Sequence, residues 1–373
     1  MPQLIHIFTS GSLFLLTFLL LSKPQKVNQK ANFWFTWFVF SVACTFLDDC
    51  FVILKLLKQY PYIEDITNIP LFLLAPSLFL GVVYFTNPQK KFRKIDYFHF
   101  LPFVLFLLFP VLLLGILALQ NRNIETYLQA NNDWIGAILV TSLFSQLLVY
   151  VAASLAKIHQ HQKNVRLFAS SVEQIDLSWL QYFLYGVTFM VLIWLGEFLI
   201  FPVADYAYLG YFIGVYYLAY FALSQKEIYP FTEKETQDII EVIVEGKATE
   251  EKKQLLFPNF DLLGEKSRLN ELMRTSKPYL DNELSLPKLA QMLNISTHEL
   301  SFLLNGGFEE NFYEFVNRYR VEESKHLLKN PKFQHLNMVG IAFEAGFNSK
   351  TAFNTTFKKM TGQTPSEFRN LNK

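Results

Sequence analysis

Seven stretches within the first 224 residues are apolar over lengths that match a lipid bilayer, and this restricts the fold more than any other property of the chain. A helix needs roughly 20 consecutive apolar residues to cross the hydrocarbon core. The stretches cover 4–21, 33–56, 69–85, 99–119, 134–157, 179–201 and 208–223. A hydrophobic share of 51% with 17% aromatic residues is high for an ordinary soluble chain of 373 residues. The excess lies in this half; beyond position 224 the residues turn charged and periodic. The pattern predicts an all-α protein with a seven-helix transmembrane domain at 1–224, a cytosolic linker at 225–261 and a soluble domain at 262–373.

No Lys or Arg precedes the first apolar stretch and no small-residue cleavage site follows it, so it reads as a retained span and not a signal peptide. Loop charges give the orientation. Lys23, Lys26 and Lys30 fall in the first loop, Lys90, Lys91, Arg93 and Lys94 in the third, and Lys163 and Arg166 in the fifth. The alternate loops hold Lys58 and Arg122 alone. Basic loops stay on the cytoplasmic side, so the N-terminus is expected outside and an odd number of crossings brings the C-terminus to the cytoplasm. Trp34, Trp134, Trp179 and Tyr208 sit near span ends, as interfacial aromatics do, and Pro76 and Pro110 are expected to kink their helices. Gly210 and Gly214 form a GxxxG pair suited to close helix packing, within the bundle or in a homodimer.

Ionisable residues within spans are costly, which singles out Asp48, Asp49, Lys55 and Glu197. Asp48 and Lys55 are seven residues apart and share a helical face, with Glu197 at a similar depth. An outward-opening pocket for a small ligand or envelope signal and a plain interhelical salt bridge both fit them. Cys44 and Cys50 are offset by six residues on one helix, so buried thiols are expected and not a disulfide. His159 and His161 read as solvated loop residues; no metal or cofactor is expected.

After the spans, Pro230 breaks the chain and Thr232 with Glu235 forms a capping box for a short amphipathic helix carrying Ile239, Ile240, Ile243 and Val244. That stripe fits pairing of two subunits or packing on its own domain. Residues 247–261 read as a charged tether. A helix over 265–275 follows, then Leu286, Leu289, Ala290 and Leu293 on a supporting helix, a turn at Asn294, Ile295 and Ser296, and a helix over 297–305 with Leu300, Leu303 and Leu304 inward. Residues 311–328 form one longer helix ended by Asn330 and Pro331. The segment after Met338 repeats the supporting-helix, turn, helix order: Gly346 turns the chain with positive φ, Asn348 or Ser349 caps the next helix, and Phe353 and Phe357 share a buried face with Phe347 beneath. Ser349, Lys350, Thr351, Asn354, Thr355, Lys358 and Lys359 stay outside. From Asn311 onward ten Lys and Arg face five Glu, an excess that suits a phosphate-binding surface although the whole chain carries only +1.

Gly346-Phe347, Phe353, Phe357-Lys358, Gly362, Thr364-Pro365 and Arg369 keep the spacing of the AraC/XylS family of bacterial transcription regulators, and residues 262–373 resemble that family's DNA-binding domain. The resemblance implies two helix-turn-helix units joined by a long helix, with double-stranded promoter DNA as partner and the bacterial cytoplasmic (inner) membrane as location. It makes Lys350, Thr351 and Thr355 the foremost base-facing residues, with Ser349, Asn354 and Lys358 beside them. Thr297, His298 and Ser301 serve in the first unit, and Arg369 closes the domain and touches phosphate. Phe302 departs from the Arg that family members often carry, so the first unit is expected to position the backbone more than to read bases. A soluble fragment starting near Asp261 is expected to bind DNA.

Two other readings were weighed against the regulator. A membrane transporter or enzyme whose cytosolic domain controls its own gene lacks support: no glycine-rich nucleotide loop, HExxH or Ser/His/Asp set is present, and seven spans do not divide into two equal repeats. Proteolytic release of the domain from 225–261 predicts a short soluble fragment.

Overall fold

The computed structural model describes residues 2–22, 27–56, 59–60, 63–120, 124–173, 175–199, 204–224, 233–245 and 260–371. Among these residues the regular structure is helical, apart from an isolated antiparallel bridge between Ala169 and Ser285. The chain divides into two compact units, one of Met1–His159 with Leu177–Ile228 and the other of Gln160–Asp176 with Tyr229–Lys373.

The first unit contains α1 (Pro2–Ser22), α2 (Gln29–Ile53), α3 (Ile63–Asn68), α4 (Leu71–Thr86), α5 (Leu101–Leu119), most of α6 (Ile124–Val165), α7 (Ser178–Leu199) and α8 (Ala204–Leu223). Among the described residues five stretches are long and apolar enough to cross a membrane: Leu4–Ser22, Gln29–Ile53, Ile66–Thr86, Lys94–Leu119 and Trp134–Val165. Ser178–Leu192 and Phe212–Leu223 are apolar but shorter over the described residues. Helix α2 packs between α1 and α4, burying Ala31, Phe35, Val39 and Ala43 at a four-residue spacing. Pro76 and Pro110 lie inside α4 and α5, and Cys44 and Cys50 are buried free thiols.

The second unit contains α9 (Glu233–Glu245), α10 (Leu262–Thr275), α11 (Leu286–Leu293), α12 (Thr297–Phe302), α13 (Phe312–Lys329), α14 (Met338–Glu344), α15 (Lys350–Thr361) and α16 (Pro365–Leu371). Its apolar residues fall into two clusters around α13. One holds Leu269, Leu286, Leu289, Leu300, Phe312 and Phe315 with their neighbours. The other holds Val321, Leu328, Ile341, Phe353, Phe357 and Phe368.

Four sequence expectations change. Helix α2 ends at Ile53 because Lys55 adopts φ 57°, so Lys55 does not extend the helical face of Asp48. His161 is not a solvated loop residue: α6 runs to Val165 and the chain folds back, so His161 is buried with its Nε2 2.8 Å from the Ile175 carbonyl. The helix after Ser296 stops at Phe302, because Gly306 and Gly307 loosen the next turn into π geometry over Leu303–Phe308. The second unit also does not begin at 262. Val165, Phe168, Ala169 and Val172 from the chain before α7, and Ile239 and Val242 from α9, all enter its first cluster. The capping box at Thr232 and most of the tether at 247–261 lie outside the described residues.

Candidate nucleic-acid interface

Helix α14 is capped by Asn337, whose Oδ1 accepts the Gly340 amide at 2.8 Å. It ends at Gly346, where φ is 86° and a Cβ would stand 2.3 Å from the Tyr279 carbonyl, so only glycine fits. The Phe347 amide returns to the Ala342 carbonyl at 2.9 Å. Ser349 then opens α15, its Oγ accepting the Ala352 amide at 3.0 Å. Phe353 lies between Phe347 and Phe357, tilted to the first and edge-to-face with the second, with ring centroids 5.3 and 5.6 Å apart, and all three are buried. Ala352 and Thr356 are buried beside them, and together these residues fix the rotation of α15. At 100° per residue, Lys350, Asn354, Lys358, Thr351 and Thr355 fall within an arc of about 140° opposite that buried face. Lys350, Thr351, Thr355 and Lys358 are exposed, and Ser349 and Asn354 are half-buried. Lys359 lies beyond that arc, 3.9 Å from Glu314 on α13. Arg369 donates to the carbonyls of Leu336 and Phe333 at 3.0 and 3.1 Å, closing α16 onto the loop before α14.

The first unit has the same construction with a different surface. Ser285 caps α11, Asn294 ends it in the left-handed region at φ 57°, and Ser296 with Glu299 forms a reciprocal capping box at α12. Thr297 is buried and Ser301 half-buried. His298 Nε2 lies 3.3 Å from Glu241 Oε2 on α9, and Phe302 meets Phe260 edge to face at 5.9 Å. The outward side of α12 is therefore partly covered by the chain that precedes the domain, whereas α15 presents its polar arc to solvent. The sequence reading of the α9 stripe as packing on its own domain agrees with Ile239 and Val242 in the first cluster, but the contact of Glu241 with His298 is set by tertiary packing and carries no local signal.

Arg320 is the largest fully buried side chain among the described residues. Burial pushes its guanidinium down to about 10, against the opposing charges of Glu173, Tyr313 and Asp281. It donates to the carbonyls of Tyr279 and Asp281, each at 2.8 Å, and lies 5.9 Å from the Phe347 ring. The turn before α11 and the turn before α15 are thus held against α13 by one side chain.

In the first unit of the chain a cavity of about 520 Å³ opens among α1, α2, α4, α6, α7 and α8. Phe38, Phe46, Leu74, Gly186 and Gly214 are among its apolar lining, and Asp49 is its ionisable member. A side chain at Gly186 or Gly214 would meet nothing within 4 Å, and at Gly210 it would strike Met190 of α7. Asp49 Oδ2 is 3.1 Å from His6 Nδ1, and Asp48 accepts a hydrogen bond from Thr67 at 3.1 Å. Asp48 does not line the cavity, Lys55 is exposed beyond the end of α2, and the side chain of Glu197 lies outside the described residues. Among the described residues no cluster of three His, Cys, Asp or Glu side chains is placed to hold a metal ion.

The carboxy-terminal geometry is that of a helix-turn-helix domain. The helix-turn-helix domain family model matches residues 289–371. The chain is 32% identical over 117 residues to the HTH-type transcriptional regulator YijO of Escherichia coli (strain K12), covering 29% of this chain and 40% of that protein. It is 28% identical over 102 residues to the HTH-type transcriptional regulator SACOL0084 of Staphylococcus aureus (strain COL), covering 27% of this chain and 13% of that protein. The similarity thus spans well under half of each relative's length and is to regulators, not enzymes. No solved structure matches the chain.

Proposed function

We propose that this protein is a membrane-embedded, signal-responsive transcription regulator that binds promoter DNA in a sequence-specific manner. The observation that carries the reading is the exposed polar arc of Lys350, Thr351, Asn354, Thr355 and Lys358 on a helix whose rotation is fixed by buried phenylalanines. A helix of this kind enters the major groove with its polar side toward base edges and phosphates. The spacing shared with AraC/XylS regulators supports a paired arrangement on the 18-residue α13, about 27 Å long, for successive grooves about 34 Å apart. Lys350, Thr351 and Thr355 face bases; Ser349, Asn354 and Lys358 flank them. Thr297, His298 and Ser301 act at the backbone, and Arg369 supports the fold.

Five long apolar helices and two shorter ones support a seven-span bundle with its N-terminus outside and the DNA-binding domain in the cytoplasm of a bacterium. The cavity beside Asp49 is where a small lipophilic signal fits, and the GxxxG side of α8 faces that cavity and Met190 of α7, which favours packing within the bundle over a homodimer at this face. The test is selection from random duplexes by the full chain in lipid nanodiscs. A recovered consensus whose binding weakens with Lys350→Ala and Thr355→Ala supports the reading, and recovery of no sequence preference at low salt refutes it.

A further inference from the structure

The segment Gln160–Asp176 connects α6 to α7 in the chain, yet it is folded into the DNA-binding unit. Phe168 is fully buried in the first apolar cluster, with Val165, Ala169 and Val172 beside it. The Phe168 carbonyl accepts the Leu286 amide at 2.9 Å, the Ser170 amide donates to the Leu284 carbonyl at 3.3 Å, and the Ser170 hydroxyl donates to the same carbonyl at 2.6 Å. From α13, Arg320 donates to the Ser170 carbonyl and hydroxyl, each at 2.9 Å, and Asn317 adds a third bond to that carbonyl at 3.2 Å. The Tyr313 amide donates to the Arg166 carbonyl at 3.0 Å, and the Arg166 guanidinium lies 5.7 Å from the Tyr313 ring. The Tyr313 hydroxyl then stands 3.2 Å from Thr356 on the inner side of α15.

These contacts place the segment at the seam of the paired helix-turn-helix. It grips the start of α11 on one side and the first half of α13 on the other, and Arg320 and Tyr313 extend it to Phe347 and Thr356 of the second unit. We propose that Gln160–Asp176 is a transmission strap: it completes the DNA-binding unit and sets the relative placement of the two recognition helices, so that a shift of the ends of α6 and α7 changes DNA affinity. A contiguous set of buried hydrogen bonds and close-packed rings transmits displacement because such a seam does not deform gradually. The coupling presupposes the DNA-binding reading, whereas the docking of the strap does not.

The test uses the full chain in lipid nanodiscs with two readouts. Hydrogen exchange of the Leu286 and Tyr313 amides is expected to quicken at least about tenfold in Phe168→Ala with Ser170→Ala, as loss of buried packing and hydrogen bonds opens the seam. Phe168→Leu, a milder change, serves if that variant does not fold. Unchanged exchange overturns the docking. In a background with Cys44→Ala and Cys50→Ala, Ala169→Cys and Ser285→Cys are expected to form a disulfide across the antiparallel bridge. Affinity for the duplex selected by the parent chain is expected to fall at least about fivefold in the strap variants, and in the cysteine pair to be higher oxidised than reduced. Altered exchange with unaltered affinity overturns the coupling; absence of DNA binding by the parent chain refutes the DNA-binding reading and leaves the exchange result standing.

Discussion

His298 on α12 meets Glu241 of α9 at 3.3 Å. Glu241 is 67% exposed and its neighbours Glu235, Asp238 and Glu245 add negative charge to α9. In the proposed DNA-binding reading, the Glu241 carboxylate competes with a phosphate for the His298 side of α12. Glu241→Gln is therefore expected to raise DNA affinity about two- to fivefold at low salt, within the range for a single exposed charge. Fluorescence anisotropy with the full chain checks this, and the gain should shrink as salt rises.

Lys350→Ala with Thr355→Ala removes one positive charge and one hydrogen-bonding hydroxyl from the exposed arc of α15. Binding is expected to weaken about ten- to thirtyfold, and the slope of log affinity against log salt should fall by about 1. Far-UV circular dichroism should be unchanged, because neither side chain is buried.

Arg320→Met leaves the buried Tyr279 carbonyl without its side-chain donor and takes one of two donors from the carbonyls of Asp281 and Ser170, which keep the Leu284 amide and Asn317. Losing the hydrogen bonds of a charged group at buried acceptors costs about 1.5–3 kcal/mol. The amides of α13 should lose protection in hydrogen exchange by that amount. Arg320→Lys should rescue little, since an ammonium cannot span the same acceptors.

Gly346→Ala forces a Cβ to within 2.3 Å of the Tyr279 carbonyl at a φ of 86°. The cost is expected to exceed about 1 kcal/mol from the left-handed conformation alone, with displacement of the 279–281 turn in addition. A lowered melting temperature of the DNA-binding unit is the readout.

A fragment that starts at Asp261 lacks Ile239 and Val242 of α9 as well as Phe168 and Val172 of the strap. Loss of these buried side chains, each worth about 1.5–3 kcal/mol, should leave it unfolded or molten by near-ultraviolet circular dichroism and hydrogen exchange. A fragment starting at 229 with residues 160–176 joined through a flexible linker is expected to recover cooperative melting.

Helix ends and the buried side of α15 were legible in the sequence because their signals are local. Ser285, Ser296 and Ser349 cap the helices they precede, Asn294 and Gly346 take positive φ, and Phe353 and Phe357 lie one turn apart on one side. The strap was not legible. Residues 166–176 carry the marks of an ordinary loop between spans, and their partners, from Leu284 to Arg320, lie more than a hundred positions away. Lys55 and His161 were misplaced for a related reason: helical periodicity assigns a face but not the point where a helix stops or continues. The cavity beside Asp49 depends on how six helices meet, which no single stretch encodes.

The insertion of Gln160–Asp176 into a domain otherwise built from the last third of the chain sets an order of events during synthesis. Val172 leaves the ribosome before Arg320, and at roughly 5–20 residues per second the interval is on the order of 7–30 s. Throughout that interval Phe168 and its neighbours have no partner to cover them. A newborn chain that stalls or is truncated before α13 therefore exposes a sticky apolar segment, which marks it for capture by chaperones or for degradation.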